Sequence, residues 1–530
     1  MQTFDSASVY ERLQMERAPY LHRAKECASF TVPSLQPPSD SDVTEMRGQK
    51  LNEPWQSFGA RAVNNLTSKL ALTVLPLNAK FFRLAIDEAS LQDLEAVDNS
   101  MIEVEEELAK IEDMVLDKIE GSGLRTKVGL ALRFVEVSGN ALLHIPANRP
   151  PRVYRLDSFV IERDPRDNIV RIVIRERVSP LTLDQATRDR IQALGVDLEN
   201  ASRNWVEVFT HLKRDKTNKG VNVWREWQEV KNKILHKVTT HQFDRNPYIH
   251  MRGTAIDGEA YGRSHCEEFA GDFRALDALS KGIQQGTAQA AKVIWGVSGP
   301  TGLERKLAKT RNGGFVSAKE GEVWPISMQR KAVDFQAVRA EIQDLKHDLG
   351  MAFLMNSTVP RQAERVTAEE IRLVASELDD TLGGTFSLLS SDLQLPLVNI
   401  ILGNMIESGE IDKLPEQVRP IIVTGLDAIG RSHDLQRLDV FVSGIAELLG
   451  PAAVAQFVNI PAYLRSRAVA LGIDTEQLIK SEEQVAQEQQ AQQLQDAVQN
   501  LGPQLLQNGP PELAEAAATQ MGLAAQQATG

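Results

Sequence analysis

The chain has 530 residues and a formal net charge of −13, with 42% hydrophobic and 25% charged residues. These are values of an ordinary globular chain of about three or four folded units, and they exclude a disordered or collagen-like polymer. The acidic balance argues against holding DNA by wholesale phosphate neutralisation, and 17 Phe, 6 Tyr and 6 Trp are few for a base-stacking platform or a large β-sandwich.

The first stretch is helical and polar-amphipathic: Val9, Leu13 and Met15 lie among Glu11, Arg12, Glu16 and Arg17, and Pro19 is expected to interrupt the helix before Leu21 to Phe30. Pro33, Pro37 and Pro38 mark a loop. From Trp55 to Leu75 the positions Phe58, Ala62, Leu66 and Leu70 recur at helical spacing, and Pro76 closes the segment. An acidic helix follows, with Met101, Val104, Leu108, Ile111, Val115 and Ile119 on one face. Glu103, Glu105, Glu106, Glu107, Glu112 and Asp113 cover the rest, which reads as a solvated face. Between Val153 and Val238 the period becomes strand-like, with β-branched or aromatic runs at 153–156, 159–163, 169–175, 205–210 and 221–228. Asp164 to Asn168 is a turn between two of them, so an antiparallel hairpin is expected. The fold class is therefore mainly α with an α+β subdomain.

After Gly262 helices return. One covers about 264–293, with Phe269, Phe273, Leu276, Leu279 and Ile283 on a stripe and small residues in its second half, Gly282, Gly286, Ala288, Ala290 and Ala291. A Gly-rich insertion, 296–331, is basic: Arg305, Lys306, Lys309, Arg311, Lys319, Arg330 and Lys331 outweigh Glu304, Glu320 and Glu322. A second helix covers about 333–354. Its residues Phe335, Val338, Ile342, Leu345 and Leu349 alternate spacings of three and four, a narrow seam too short to stand alone. The segment 356–366 breaks this helix, and Thr367 with Glu370 forms a capping box that starts the next, where Gly383-Gly384 marks a kink. Residues from about Ile421 to Ala470 read as another helical unit. The tail is rich in Gln and Ala, has no Lys or Arg past Lys480, and cannot bury a core alone.

Catalytic signatures are missing. No G-x-x-x-x-G-K-[ST] loop follows the glycines near 296–302, no G-x-G-x-x-G follows a strand, and no G-x-S-x-G elbow occurs. His236, His241 and His250 lack the spacing of a metal site, Asp379 and Asp380 point apart on a helix, and Cys27 and Cys266 have no partner motif. The expectation is a structural protein: not an enzyme, with no cofactor and no metal. The start shows no secretory signal and no apolar run is long enough to span a bilayer, so assembly in a cytoplasm is expected.

Several blocks resemble the portal (head-to-tail connector) family of T-seven-like short-tailed bacteriophages. They are Ser8 to Leu13 with Arg17-Ala18-Pro19-Tyr20, Ala60 to Leu66 with Ser68-Lys69-Leu70, and Tyr261-Gly262-Arg263-Ser264. Further on come Arg365 to Arg372, Val374 to Leu378, Thr381 to Gly384, Leu393 to Val398, and Gly425 to Arg431. None is catalytic; their specificity lies in number, order and spacing. The resemblance covers some four-fifths of the chain, and the strand region, the basic insertion and the tail match least.

The resemblance implies the phage portal fold, assembled as a ring of usually twelve subunits at one capsid vertex, through which double-stranded DNA enters on packaging and leaves on ejection. Its parts would be a wing at 1–260, a first stem helix at 261–294, a clip at 295–332 and a second stem helix at 333–355. A channel loop would follow at 356–366, then a kinked helix returning to the wing at 367–424, a crown at 425–495 and a disordered tail at 496–530. Implied partners are further copies of the chain, the large terminase subunit, tail adaptor and tail-tube proteins, capsid and scaffolding proteins, internal core proteins and DNA, with no membrane. The place would be the portal vertex of the virion.

Physics adds three expectations. A closed ring needs two different patches per subunit, and the seam of Phe335, Val338, Ile342, Leu345 and Leu349 is expected to supply one of them between subunits. An acidic ring suits passage of a polyanion without deep wells, with Arg361 and Arg365, tempered by Glu364, as isolated charges facing DNA. The clip residues Arg305, Lys306, Lys309 and Arg311 are expected to steer the terminase and then the tail. The alternative is another virion component, such as a tail-tube, adaptor or internal core protein. A packaging motor or nuclease would need the missing phosphate-binding loop.

Overall fold

The structure is a computed structural model that describes residues 6–37, 51, 53–76, 80–86, 100–195, 205–217, 219–236, 238–290, 295–298, 303–310, 315–325, 332–355, 390–415, 417–422, 442–445 and 447. The chain divides into two compact units, Met1–Ala428 and Ile429–Gly530. All elements named below belong to the first.

The order begins with α1 (Ser6–Phe30), α2 (Phe58–Val74), β1 (Phe82–Ile86), α3 (Ser100–Gly121) and α4 (Leu124–Ser138). The strand-rich stretch holds β2 (Asn140–His144), β3 (Arg152–Tyr154), β4 (Phe159–Arg163), β5 (Ile169–Val178), the short α5 (Gln185–Ala193), β6 (Val206–Lys216) and β7 (Asn222–Val230). It ends with β8 (Lys233–Ile234), β9 (Thr239–Gln242) and β10 (Tyr248–Arg252). A single helical turn, His265–Glu268, leads into α6 (Ala270–Ala290). Then come β11 (Trp295–Val297), α7 (Leu303–Lys309), β12 (Val323–Pro325) and α8 (Ala332–Ala352). A wide helical turn, Ser390–Gln394, opens α9 (Leu395–Ser408), and β13 is Val418–Ile422.

The chain is a mixture of helix and sheet, with sheet in four places among the described residues where the sequence indicated one. The six-stranded sheet, β4-β5-β6-β7-β8 with β9 also on β7, is antiparallel throughout. Its first hairpin turns at Asp164, whose carboxylate accepts from the amides of Arg166 and Asn168, while Asp167 takes the left-handed conformation. A three-stranded sheet, β10-β2-β3, lies between distant segments, and β11 pairs with β12. β13 pairs with β1 across more than 300 residues, so Ile421 and Ile422 end a strand, and the rest of the helical unit expected from about Ile421 lies mostly outside the described residues. Such long-range pairs carry no local signal, because each short run gains its hydrogen bonds only from its partner.

The largest core gathers Leu66 and Leu70 of α2, Val115 of α3, Leu132 of α4, Phe273 of α6, Leu349 of α8 and Leu397 of α9. A second core sits between α1 and the large sheet, around Leu21, Phe159, Ile172, Trp224 and Tyr261. Two sequence expectations change here. Pro19 lies inside an unbroken α1, because tertiary packing offsets the one hydrogen bond that proline removes. Glu112 of the acidic α3 is buried, not solvated: its carboxylate accepts from the Leu84 amide at 2.8 Å and from Lys80 at 3.3 Å.

Candidate functional site

Helices α6 and α8 pack antiparallel. The Phe273 ring near the start of α6 meets Phe353 just past the end of α8, with centroids 5.5 Å apart, and Gly286 near the end of α6 lies against Phe335 near the start of α8. The seam is spent on this pairing. Ile342 and Leu349 are buried, and Val338 and Leu345 partly buried, in a cluster with Phe269, Phe273, Leu276, Leu279 and Ile283 of α6. Within one chain Phe335, Val338, Ile342, Leu345 and Leu349 therefore pack against α6; the inter-subunit role expected of them from the sequence concerns a second copy and stays a proposal. The reason is apolar area: the stripe on α6 and the seam on α8 bury each other before any second copy is needed.

The small residues Ala275, Ala278, Gly282 and Gly286 follow one side of α6, covered at only one end. Gly286 admits the Phe335 ring, whereas Ala275, Ala278 and Gly282 are exposed, and a Cβ at Gly282 would meet nothing. The outer face of α8 is polar and exposed, with Gln336, Arg339, Glu341, Asp344, His347 and Asp348.

Between the two helices lies the β11–β12 pair with α7. Arg305, Lys306 and Lys309 are exposed on α7 around a buried Leu303. Phe315 is fully exposed and Trp324 is 45% exposed. Arg311 lies outside the described residues, as do Arg361, Glu364 and Arg365, the capping box at Thr367, Gly383-Gly384 and Asp379-Asp380.

The base of the hairpin is built by the block Tyr261 to Ser264. Asn140 holds Gly262 through both of its backbone groups, at 2.8 Å each, and Tyr261 accepts from the Ile161 amide through its hydroxyl. Gly139, at φ 72, lies where a Cβ would sit 2.5 Å from the Gly262 carbonyl, so this crossing requires glycine. Ser264 caps the turn that follows by accepting from the Glu267 amide. Arg263 pairs with Glu259 and Glu267, Arg23 of α1 joins Glu267 at 2.9 Å, and Glu26 pairs with Arg274. The segment at Trp55 ties in from outside: its amide donates to Asp277, its carbonyl accepts from Gln284, and Lys281 lies over its ring.

Behind the base, sequence reasoning missed three buried charged groups. Arg17 of α1 donates to the carbonyls of Leu156, Asp157 and Phe159 at 3.0, 2.9 and 2.7 Å. Lys69 of α2 donates to the Leu354 carbonyl. Glu136 of α4 is fully buried; burial first, then the Glu268 carboxylate, push its pKa up to about 8. The only signal for any of them is their place in the resembling blocks (Arg17, Lys69), since polar residues inside a helical pattern look solvated. Burial raises the Cys27 thiol to about 12 and Cys266 well above the ordinary range, so both are inert.

The three histidines weighed for a metal have separate partners. His236 lies by Arg190, His241 pairs with Glu226 at 2.8 Å, and His250 is buried against Arg163. Among the described residues no three His, Cys, Asp or Glu side chains are grouped to hold a metal. No described helix is long and apolar enough to cross a membrane.

Comparison with known proteins agrees with the resembling blocks. The model of the family "Bacteriophage head to tail connecting protein" matches residues 5–479. The portal protein of Enterobacteria phage T3 is 37% identical over 500 residues, covering 93% of this chain and 90% of the relative. That of Escherichia phage T7 is 36% identical over 531 residues, covering 97% of each. That of Pseudomonas phage phiKMV is 28% identical over 509 residues, covering 94% and 96%. Among solved structures, a chain of the virion of a native gene transfer agent particle aligns over 79% of this chain and 90% of its own with a TM-score of 0.33 and 14% identity, too loose a likeness to add to the argument. The chain belongs to the family of bacteriophage head-to-tail connecting proteins, as a portal protein similar to those of T7-like short-tailed phages.

Proposed function

We propose that copies of this chain, twelve in the usual count of the family, close into a ring at one capsid vertex and conduct double-stranded DNA during packaging and ejection. The family membership makes the chain a structural component of the virion; the ring, the conduit and the docking partners are the reading advanced here. The observation that carries it is the α6–α8 hairpin. Its apolar face is closed within the chain, yet Ala275, Ala278 and Gly282 leave a smooth uncovered face on α6. Small residues let a neighbouring backbone approach closely, and a head-to-tail ring needs such a face against a different one of the next copy. The exposed polar side of α8 is suited to be that second face or to border an aqueous channel.

Charge supports passage without grip. At −13 per copy, a ring holds DNA weakly, and Arg361 and Arg365, with Glu364, are the charges the segment 356–366 would bring to the path. The basic α7, with Arg305, Lys306 and Lys309, and the exposed Phe315 and Trp324 of the same insertion, with Arg311 nearby in sequence, suit docking of the large terminase subunit and then of the tail. Mechanical work would come from that separate ATPase, and this chain would be no enzyme.

Electron micrographs of the purified protein test the reading. Rings with an axial hole are expected, together with no DNA-stimulated ATP hydrolysis. A protein that stays a single chain at every concentration and salt, or that hydrolyses ATP, overturns it.

A further inference from the structure

The C-terminal end of α8 is held from outside the helix. Asn65 and Lys69, one turn apart on α2, both reach it. The Asn65 amide donates to the carbonyls of Phe353 and Leu354 at 3.0 Å each, and the Lys69 ammonium donates to the Leu354 carbonyl at 2.9 Å. These two carbonyls lie just past α8, where no further turn of helix supplies donors, and a cation there meets the negative end of the helix dipole. Lys69 is 1% exposed, and a buried ammonium persists only where such acceptors compensate its lost water.

The residue it holds is strained. Leu354 has φ 53, in the left-handed region where a leucine Cβ crowds its own backbone. Strain of this kind persists only where the surroundings over-determine it. Here they do: the Leu354 side chain is buried in the main core while its carbonyl is held by α2. The helix that holds it is itself fixed. The Gln394 amide donates to the Val74 carbonyl and the Arg125 guanidinium to the Leu75 carbonyl, so the far end of α2 is tied to the turn before α9 and to α4.

We propose that Asn65 and Lys69 form a latch by which α2 holds the end of α8 against the strain at Leu354. Phe353 to Met355 is then the point at which the α6–α8 pair opens first when the latch releases. This is a movement within the chain, and it stands whether or not copies of the chain close into a ring.

Hydrogen exchange of the full-length protein reads the latch directly. The amides of Phe353, Leu354 and Met355 bond to the carbonyls of Leu349, Met351 and Gly350, so opening exposes all three together. Lys69→Met and Asn65→Ser should each speed their exchange at least about tenfold, the effect of losing hydrogen bonds to buried carbonyls, with residues 338–346 unchanged. In the double variant the acceleration should fall short of the product of the two, because one opening already frees the turn. Should Lys69→Met fail to fold, the half-buried Asn65→Ser decides. Unchanged exchange at 353–355 in Asn65→Ser, equal acceleration along the whole of α8, or a double variant equal to the product would overturn the latch.

Discussion

Phe335 fills the groove beside Gly286: a Cβ at Gly286 would lie 2.7 Å from its Cε1 and 2.8 Å from its Cζ. The crossing of α6 and α8 therefore depends on a glycine that helix propensity alone would disfavour. Gly286→Val should lower stability by about 1–3 kcal/mol, as overpacking does, because the ring must swing out or the helices part. One turn earlier, Gly282→Ala meets open space and should raise stability by roughly 0.5–1 kcal/mol through helix propensity. Urea denaturation of the two variants checks the contrast, and a common sign would show that the groove does not set the crossing.

Much of this pairing was legible beforehand. The stripe at Phe269, Phe273, Leu276, Leu279 and Ile283 and the seam at Phe335 to Leu349 are periodic because each faces one partner, and periodicity survives in a single sequence. The partner itself does not. Nothing local distinguishes a seam closed by the same chain from one closed by a second copy. Strands β1 and β13 were missed for the same reason, each being a five-residue run with a partner more than 300 residues away. Glu112, Glu136, Arg17 and Lys69 were unreadable because a buried ionisable group differs from a solvated one only by its tertiary surroundings. The charges expected at the channel, Arg361, Glu364 and Arg365, lie outside the described residues.

Arg17 ties α1 to β4 and the turn before it through three carbonyls, with the bonds to Leu156 and Phe159 buried. Its planar guanidinium serves Leu156, Asp157 and Phe159 from one nitrogen while the Tyr10 hydroxyl lies 3.2 Å away. Arg17→Met should cost about 3 kcal/mol or more, since unsatisfied buried acceptors each cost on the order of 1–3 kcal/mol. Arg17→Lys should recover little, because the lysine nitrogen stops short of the place that Nη1 reaches and has to draw a strongly hydrated ammonium into a buried site. Thermal unfolding of both variants decides, and full recovery in Arg17→Lys would show that charge alone matters.

Stability should peak near pH 6.5 for reasons on opposite sides of it. Burial holds His144, stacked on Tyr248, and His211, stacked on Trp227, down at about 4, and His250 well below the ordinary range. Between the ordinary histidine value of 6.5 and about 4 the unfolded chain takes up protons that the folded chain refuses, so stability falls as pH falls through that window. Glu136 works the other way. Its folded value of about 8 against 4.5 unfolded means that the native state keeps a proton the unfolded chain has lost, so stability falls as pH rises from 4.5 towards 8. Below 6.5 the histidines outnumber this single carboxyl, and above it the carboxyl acts alone. Glu136→Gln should flatten the neutral-to-alkaline arm, and His144→Phe should make the acid arm shallower, in denaturation midpoints measured across pH. An arm that keeps its slope in the matching variant would assign that slope to other groups.

Ile342 separates folding from assembly. It is buried between α8 and α6 of one chain, so Ile342→Asp places an uncompensated charge in the core and should cost about 3–5 kcal/mol. The expected product is a chain with a lowered urea midpoint and little soluble yield, not a folded chain that has merely lost its neighbours. Ala278, on the uncovered side of α6, should behave in the opposite way. Ala278→Arg leaves the hairpin core intact and adds a bulky charge to the face assigned to the next copy. Its midpoint should match the parent while ring-shaped particles disappear from electron micrographs. If Ile342→Asp instead yields stable single chains and Ala278→Arg still closes rings, the seam and the smooth face must exchange roles.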